Sequence, residues 1–186
     1  MKEREKQMNL IQILTDYTNY DWELDEDGTI ATWVEDGQSL GVVAWLDSET
    51  NDGTIIVSNQ IASDYLYIRK YEYHLLAIAT EYAQMADIAM PDNVGNIEQF
   101  RAYAAAWEVL GGDYGFCGSS EGVSLMVGDP WVWCDWDGER YDLFQDGLHA
   151  YAVTKNGLVR AYNKLVKEVE VFAAAKAKQQ LQKSQA

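Results

Sequence analysis

The chain reads as an α+β protein, with antiparallel β-meanders flanked by amphipathic helices. Three observations predict it. Asx-Gly pairs punctuate the chain, β-rich runs lie between them, and stretches with helical spacing stand on either side.

The punctuation is Asp27-Gly28, Asp36-Gly37, Asp52-Gly53, Asp137-Gly138, Asp146-Gly147 and Asn156-Gly157. Asn, Asp and Gly tolerate the positive φ that tight hairpin turns require. The first group of runs is TIATWVE (29–35), SLGVVAWL (39–46) and TIIVSN (54–59). The second is VSLMV (123–127), WVWCDW (131–136), RYDLFQ (140–145) and LHAYAV (148–153). The runs 39–46 and 131–136 are apolar on both faces, which predicts the centre of a sheet. The stretch DWELDEDG (21–28) alternates instead. Trp22 and Leu24 share one face while Asp21, Glu23 and Asp25 share the other, which predicts an edge strand guarded by charge.

Helices are expected near 3–17, 65–89, 97–110 and 158–182. In the second, Tyr71, Leu75, Ile78, Tyr82 and Met85 recur at spacings of 4, 3, 4 and 3, and Pro91 ends the run. In the third, Ile97, Phe100, Ala104 and Trp107 form the stripe before Gly111-Gly112. In the fourth, Leu158, Tyr162, Leu165, Val169 and Phe172 repeat the 4-3-4-3 spacing. An offset of 94 residues places Tyr20 on Tyr114, Trp22 on Phe116, Gly28 on Gly122, Gly53 on Gly147 and Tyr71 on Leu165. The expectation is a tandem duplication of an α–β-meander–α unit, 1–93 and 94–186.

Charge is laid out unevenly. From Gln7 to Ile68 there are twelve acids and no Lys or Arg, and from Ala102 to Glu139 seven acids and no Lys or Arg. Residues 7–154 carry −22, while residues 155–186 carry +5. An anionic body makes nucleic acid and anionic membrane poor direct partners and a basic protein surface a good one. The Lys-bearing C-terminal helix has three readings. Its cations complement the helix dipole, or it lies across its own acidic surface, or it lies across that of a second subunit, which makes a homodimer. No run of about 18 apolar residues and no signal segment is seen, so a cytoplasmic protein is expected. Cys117 and Cys134 lack metal-ligand spacing and read as reduced thiols.

Catalytic and cofactor chemistry finds little support, and no enzyme, cofactor or metal is expected. Taking Gly28 as position 6 of a calcium loop puts Glu23, Asp25 and Asp27 at positions 1, 3 and 5, but position 12, which needs a Glu, is Val34. His74 and His149, the two histidines, have no sequence neighbour that suggests a nucleophile–base pair. GFCGSSEG (115–122) lacks the Lys of a phosphate loop and reads as a hairpin or loop. Seven Trp and twelve Tyr are expected mostly in the core, with some left for an interface.

DWELDEDG, WVEDG, LDSETNDG and DWDGERYD, with the long stretches free of Lys and Arg, resemble in composition and layout the small acidic inhibitors that phages and mobile elements use against host DNA-binding defences. Those are the anti-restriction and anti-CRISPR proteins, several of them nucleic-acid mimics. The resemblance implies a partner-binding surface of Asp21, Glu23, Asp25, Glu26, Asp27, Glu35, Asp36, Asp47, Glu49, Asp52, Asp135, Asp137 and Glu139, presented to the basic groove of a nucleic-acid-binding protein. The layout is also similar to secretion-chaperone-like folds, in which an apolar face holds a client and acidity only keeps the protein soluble.

Overall fold

The computed structural model describes residues 2–59, 65–86, 96–119 and 122–184. Among the described residues the chain is α+β, with two five-stranded antiparallel sheets and four α-helices. It divides into two compact units, Met1–Phe100 with Gly118–Val123 and Arg101–Cys117 with Ser124–Ala186.

In chain order, α1 (Lys2–Thr18) leads into β1 (Asp21–Leu24), β2 (Ile30–Glu35), β3 (Gln38–Leu46), β4 (Ile55–Asn59) and β5 (Leu66–Ile68). These strands form a meander in sequence order. A 3-10 turn (Lys70–Leu75) and α2 (Leu76–Ala86) follow. Next, α3 (Asn96–Leu110) leads into β6 (Gly115–Ser119), β7 (Gly122–Val127), β8 (Val132–Trp136), β9 (Tyr141–Gln145) and β10 (Leu148–Ala152), again a meander, closed by α4 (Lys155–Ser184). The repeat is thus one of element order: helix, five strands, helix. The 94-residue offset carries α1 onto α3 and β1 onto β6. It fails later, because Gly53 precedes β4 whereas Gly147 sits between β9 and β10.

The central and edge positions follow from side-chain patterning. The apolar runs become β3 and β8, the middle strands of their sheets, and DWEL becomes the edge strand β1. Two hairpins close through two-residue turns with both residues at positive φ, Asp36 (51°) with Gly37 (74°) and Asp146 (51°) with Gly147 (79°). That is the type I′ signature, whose twist matches the strands it joins. The bulge expected of a twisted sheet lies in the β2–β3 ladder, between Thr32 and Val34.

Four expectations are corrected. Residues 66–68 are a strand, because Leu66 and Ile68 are buried while Tyr67 between them is 45% exposed, a period of two. The helical stripe therefore starts at Leu75. Tyr71, on the 3-10 turn, is 71% exposed. Asn156-Gly157 is no turn but the first turn of α4, where the site of a Gly157 Cβ lies 3.5 Å from the Ala152 Cβ. Finally, no tryptophan is fully buried. Tyr82, Tyr103 and Phe100 fill the core instead, and the indoles lie at its margins. An indole is large and its N–H needs a partner, so the margin is its usual place. The expected stop at Pro91 lies outside the described residues.

In the first unit, Leu10 and Leu14 of α1 and Leu76, Ile78, Ala79, Tyr82 and Ala83 of α2 are buried together with Ala31, Ala44, Ile55 and Val57 of the sheet. Thr18 ties α1 to the edge strand. Its hydroxyl donates to the Leu14 carbonyl at 2.6 Å and accepts from the Trp22 indole N–H at 2.9 Å. The Tyr20 hydroxyl donates to Glu81 of α2, while its ring stacks on Trp33 at 4.6 Å. In the second unit, Leu158, Ala161 and Leu165 of α4 are buried, as are Leu125, Val132, Cys134 and Leu143 of the sheet. Burial pushes the Cys134 thiol far up, so it is a packing group.

Candidate partner-binding surface

The fold sorts the thirteen acidic candidates into three kinds. The first kind is presented outward. Asp21 and Glu23 alternate with Trp22 on β1, and both are exposed. Glu26 and Asp27 are exposed in the β1–β2 turn, Glu35 and Asp36 at the β2–β3 turn, Glu49 before β4, and Glu139 before β9. Two residues of strand rise space Asp21 and Glu23 by about 7 Å.

The second kind builds turns. Asp25 accepts from the backbone N–H of Thr29 at 2.7 Å and of Ile30 at 3.0 Å, and from the Thr29 hydroxyl. These bonds favour the charged form and hold its carboxyl below the usual value. Asp52 accepts from the Thr54 hydroxyl and N–H and the Thr50 hydroxyl, with the same effect. Asp47 accepts from the Glu49 N–H and the Thr50 hydroxyl. Asp137 accepts from the Glu139 and Arg140 N–H groups, which lower it, and pairs with the Arg140 side chain at 3.3 Å. In DWELDEDG, then, Asp25 also closes the hairpin.

The third kind is Asp135 alone. It stands half-buried on β8, directly opposite Asp142 on β9. Burial pushes its carboxyl up; Ser124 hydrogen-bonds it and Asp142 raises it further. Its Oδ1 is sealed and has no hydrogen-bond partner.

Register brings distant acids to one end of the first sheet. Ile30 pairs with Trp45 and Leu46 with Ile55, so the β1–β2 turn and the β3–β4 connection lie at the same end. Asp25, Glu26 and Asp27 therefore join Asp47, Glu49 and Asp52. Glu35 and Asp36 lie at the opposite end. Ile55 also pairs with Ile68, which carries the first two cations after the acidic run to the crowded end. Arg69 is raised chiefly by its hydrogen bond to the Tyr71 hydroxyl, with Asp52 adding a smaller push, and a Gly53 Cβ would meet Lys70 at 3.8 Å. The acidic run is thus partly countered in space where it is not in sequence.

The open face of the second sheet carries what the sequence reading missed. Cross-strand pairs build two rows. Met126, Trp133, Phe144 and His149 form one, and Ser124, Asp135, Asp142 and Tyr151 the other. His149 Nδ1 lies 3.0 Å from both carboxylate oxygens of Asp142. His149 thus has a carboxylate partner seven residues away in sequence, which a search for a neighbouring nucleophile–base pair does not single out. The signal was present, since a two-residue turn at Asp146-Gly147 sets Gln145 against Leu148 and so Asp142 diagonal to His149. Ser124 is hydrogen-bonded to Asp135, and it stands three strand spacings, about 14 Å, from His149. A nucleophile and its base need about 3 Å. The other histidine, His74, is exposed on the 3-10 turn. GFCGSSEG spans neighbouring strands β6 and β7, and its residues 120 and 121 lie outside the described residues.

No protein-family model matches the chain, and no curated protein or solved structure matches it. Among the described residues, no group of three or more His, Cys, Asp or Glu is placed to hold a metal ion, and no helix is long and apolar enough to cross a membrane.

Proposed function

We propose that the chain is a non-enzymatic acidic binding protein that inhibits a nucleic-acid-binding protein by occupying its basic groove, an anti-defence role of the nucleic-acid-mimic type. One observation carries the reading. Six carboxylates from two separate connections, Asp25, Glu26, Asp27, Asp47, Glu49 and Asp52, share one end of a four-strand width. That width is about 14 Å at 4.8 Å per strand. Duplex DNA of that length carries about eight charges. The densities are comparable, and Arg69 and Lys70 reduce the imitation without cancelling it. Binding of this kind needs neither cofactor nor metal, and its place is the cytoplasm in which the partner meets nucleic acid.

The second reading, a chaperone- or adaptor-like binding module, is favoured by Trp131 and Tyr151, which are 46% and 52% exposed.

The test is capture on the immobilised protein from a bacterial lysate, followed by elution with duplex DNA or RNA. A mimic releases nucleic-acid-binding proteins into the nucleic-acid eluate. Captured proteins that ignore nucleic acid and leave only when apolar contacts are broken contradict the mimic and support the adaptor.

A further inference from the structure

Four planar groups stack in series across the open face of the second sheet. The Arg140 guanidinium lies 4.4 Å over the Tyr151 ring. Tyr151 stacks on His149 at 6.2 Å and 15°, and His149 stacks on Phe144 at 5.7 Å and 21°. Phe144 is the cross-strand partner of Trp133, whose ring meets Trp131 edge-on at 5.7 Å. One end of this aromatic row is therefore covered by an arginine that also pairs with Asp137 at 3.3 Å. The other end, Trp131, is 46% exposed.

We infer that the Trp131–Trp133 end of this face is a docking site for an arginine side chain of a basic protein partner. The inference deepens the reading of the chain as an acidic binder of a basic surface, and rests on it. Charge complementarity names the occupant. The row beside the aromatics holds the opposed carboxylates Asp135 and Asp142, and the face has two cationic candidates, His149 and Arg140. Arg140 already pairs with Asp137, and His149 is charged only when protonated. Asp142 is the reachable carboxylate, with a side chain 28% exposed, while Asp135 adds charge from behind. Trp133 pairs with Phe144 and Asp135 with Asp142, so Trp133 stands diagonal to Asp142 across the ladder, about 7–8 Å away. A guanidinium lying over an indole can reach that far with its N–H fork, whereas an ammonium offers neither a stacking plane nor a fork. Arg140 itself shows the arrangement, a guanidinium over a ring with a carboxylate 3.3 Å from its Nε.

The test uses the full chain and two probes, nona-arginine and nona-lysine, with affinity read by calorimetry and tryptophan fluorescence at physiological salt. Nona-arginine is expected to bind about tenfold tighter than nona-lysine. Trp131→Ala, which removes an exposed ring and leaves the core intact, is expected to erase most of that preference, as is Asp142→Asn. Trp131→Phe keeps a stacking ring and retains it. Neutralising Asp21, Glu23, Glu26 and Asp27 in the first unit lowers affinity for both peptides and leaves the preference unchanged. Equal affinity for the two peptides, no binding of either, or a preference that survives Trp131→Ala overturns the inference. The acidic-binder reading is decided separately by nucleic-acid elution from the immobilised protein, which does not depend on arginine preference.

Discussion

Asp135 and Asp142 face each other across the β8–β9 ladder, two carboxylates in a pairing that places like charges side by side. Like charges directly opposite on a sheet are unfavourable, and Asp135 is also half-buried with one oxygen unpaired. His149 pairs directly with Asp142 and acts on Asp135 only from a distance.

Asp135→Asn should therefore stabilise the fold at neutral pH. An amide keeps an acceptor for Ser124, removes a desolvated charge and no longer repels Asp142. The gain is ~0.5 kcal/mol after discounting for solvent screening of a partly exposed pair. Its pH dependence has a definite sign. Burial holds the folded carboxyl above the ordinary aspartate value of 3.8, so its stabilising protonated form is present below that value and lost as pH rises through the folded pKa. Urea denaturation at pH 7 and pH 4 checks this, since the advantage of the variant should shrink toward pH 4. A variant less stable than the parent at pH 7 contradicts it.

Not every acid in DWELDEDG is dispensable. Neutralising Asp21, Glu23, Glu26 and Asp27 should leave the melting temperature unchanged or slightly higher, because exposed like charges repel. Asp25→Ala should lower it by a few degrees, since the Thr29 and Ile30 N–H groups lose their acceptor. Asp25, Asp52 and Asp137 share one acid limb. Their folded pKa values lie below 3.8, so the stability they confer is present above that value and lost as pH falls through the folded values. Thermal melts between pH 2 and pH 5 report it, and the Asp25→Ala variant should show a shallower fall. Equal effects of Asp25 and Asp21 substitutions would sink this division of roles.

Backbone approach at the end of α3 predicts the largest single effect. A Cβ on Gly112 would lie 2.6 Å from the Gly128 carbonyl, and one on Gly128 would lie 2.6 Å from the Tyr162 ring. Both residues have positive φ, 78° and 89°. The Gly128 N–H donates to the Gly111 carbonyl at 2.8 Å, and the Tyr162 hydroxyl to the Pro130 carbonyl at 2.7 Å, so neither neighbour can simply withdraw. Gly128→Ala and Gly112→Ala should each cost about 2–4 kcal/mol, combining left-handed strain with overpacking. Gly37→Ala meets nothing within 4 Å and has only its φ of 74° against it, so it should cost about 1 kcal/mol. Chemical denaturation of the three variants orders them, and a Gly37 variant as damaging as the Gly128 variant would be inconsistent with the packing described.

How much of this was legible in the sequence depends on whether the signal was local. Apolar runs at 39–46 and 131–136 led to β3 and β8 because a middle strand is farther from solvent than an edge strand, so its faces carry more apolar side chains. Asp36-Gly37 and Asp146-Gly147 led to type I′ hairpins because φ preference belongs to the residues themselves. Residues 66–68 were misread as helix because three residues carry too little periodicity to separate a strand from the helix after it, and pairing with Ile55–Val57 decides it. Among the acids, sequence could not separate presented from turn-building carboxylates. Asp25 is told apart only by the Thr29 and Ile30 N–H groups that the folded turn aims at it. The Asp142–His149 pair lay within reach, since the turn type sets its register. Arg69 and Lys70 came beside Asp52 only through the β4–β5 pairing.

The most direct measurement of the central claim is the salt dependence of the complex with a captured nucleic-acid-binding partner, run with and without competing duplex DNA. A carboxylate surface seated in a basic groove loses at least about a hundredfold in affinity between 50 and 500 mM salt, because the ions it displaced return. Duplex DNA should displace the protein in direct proportion to its own affinity for the partner. An affinity unchanged across that salt range, with DNA and protein bound to the partner at the same time, would contradict the claim.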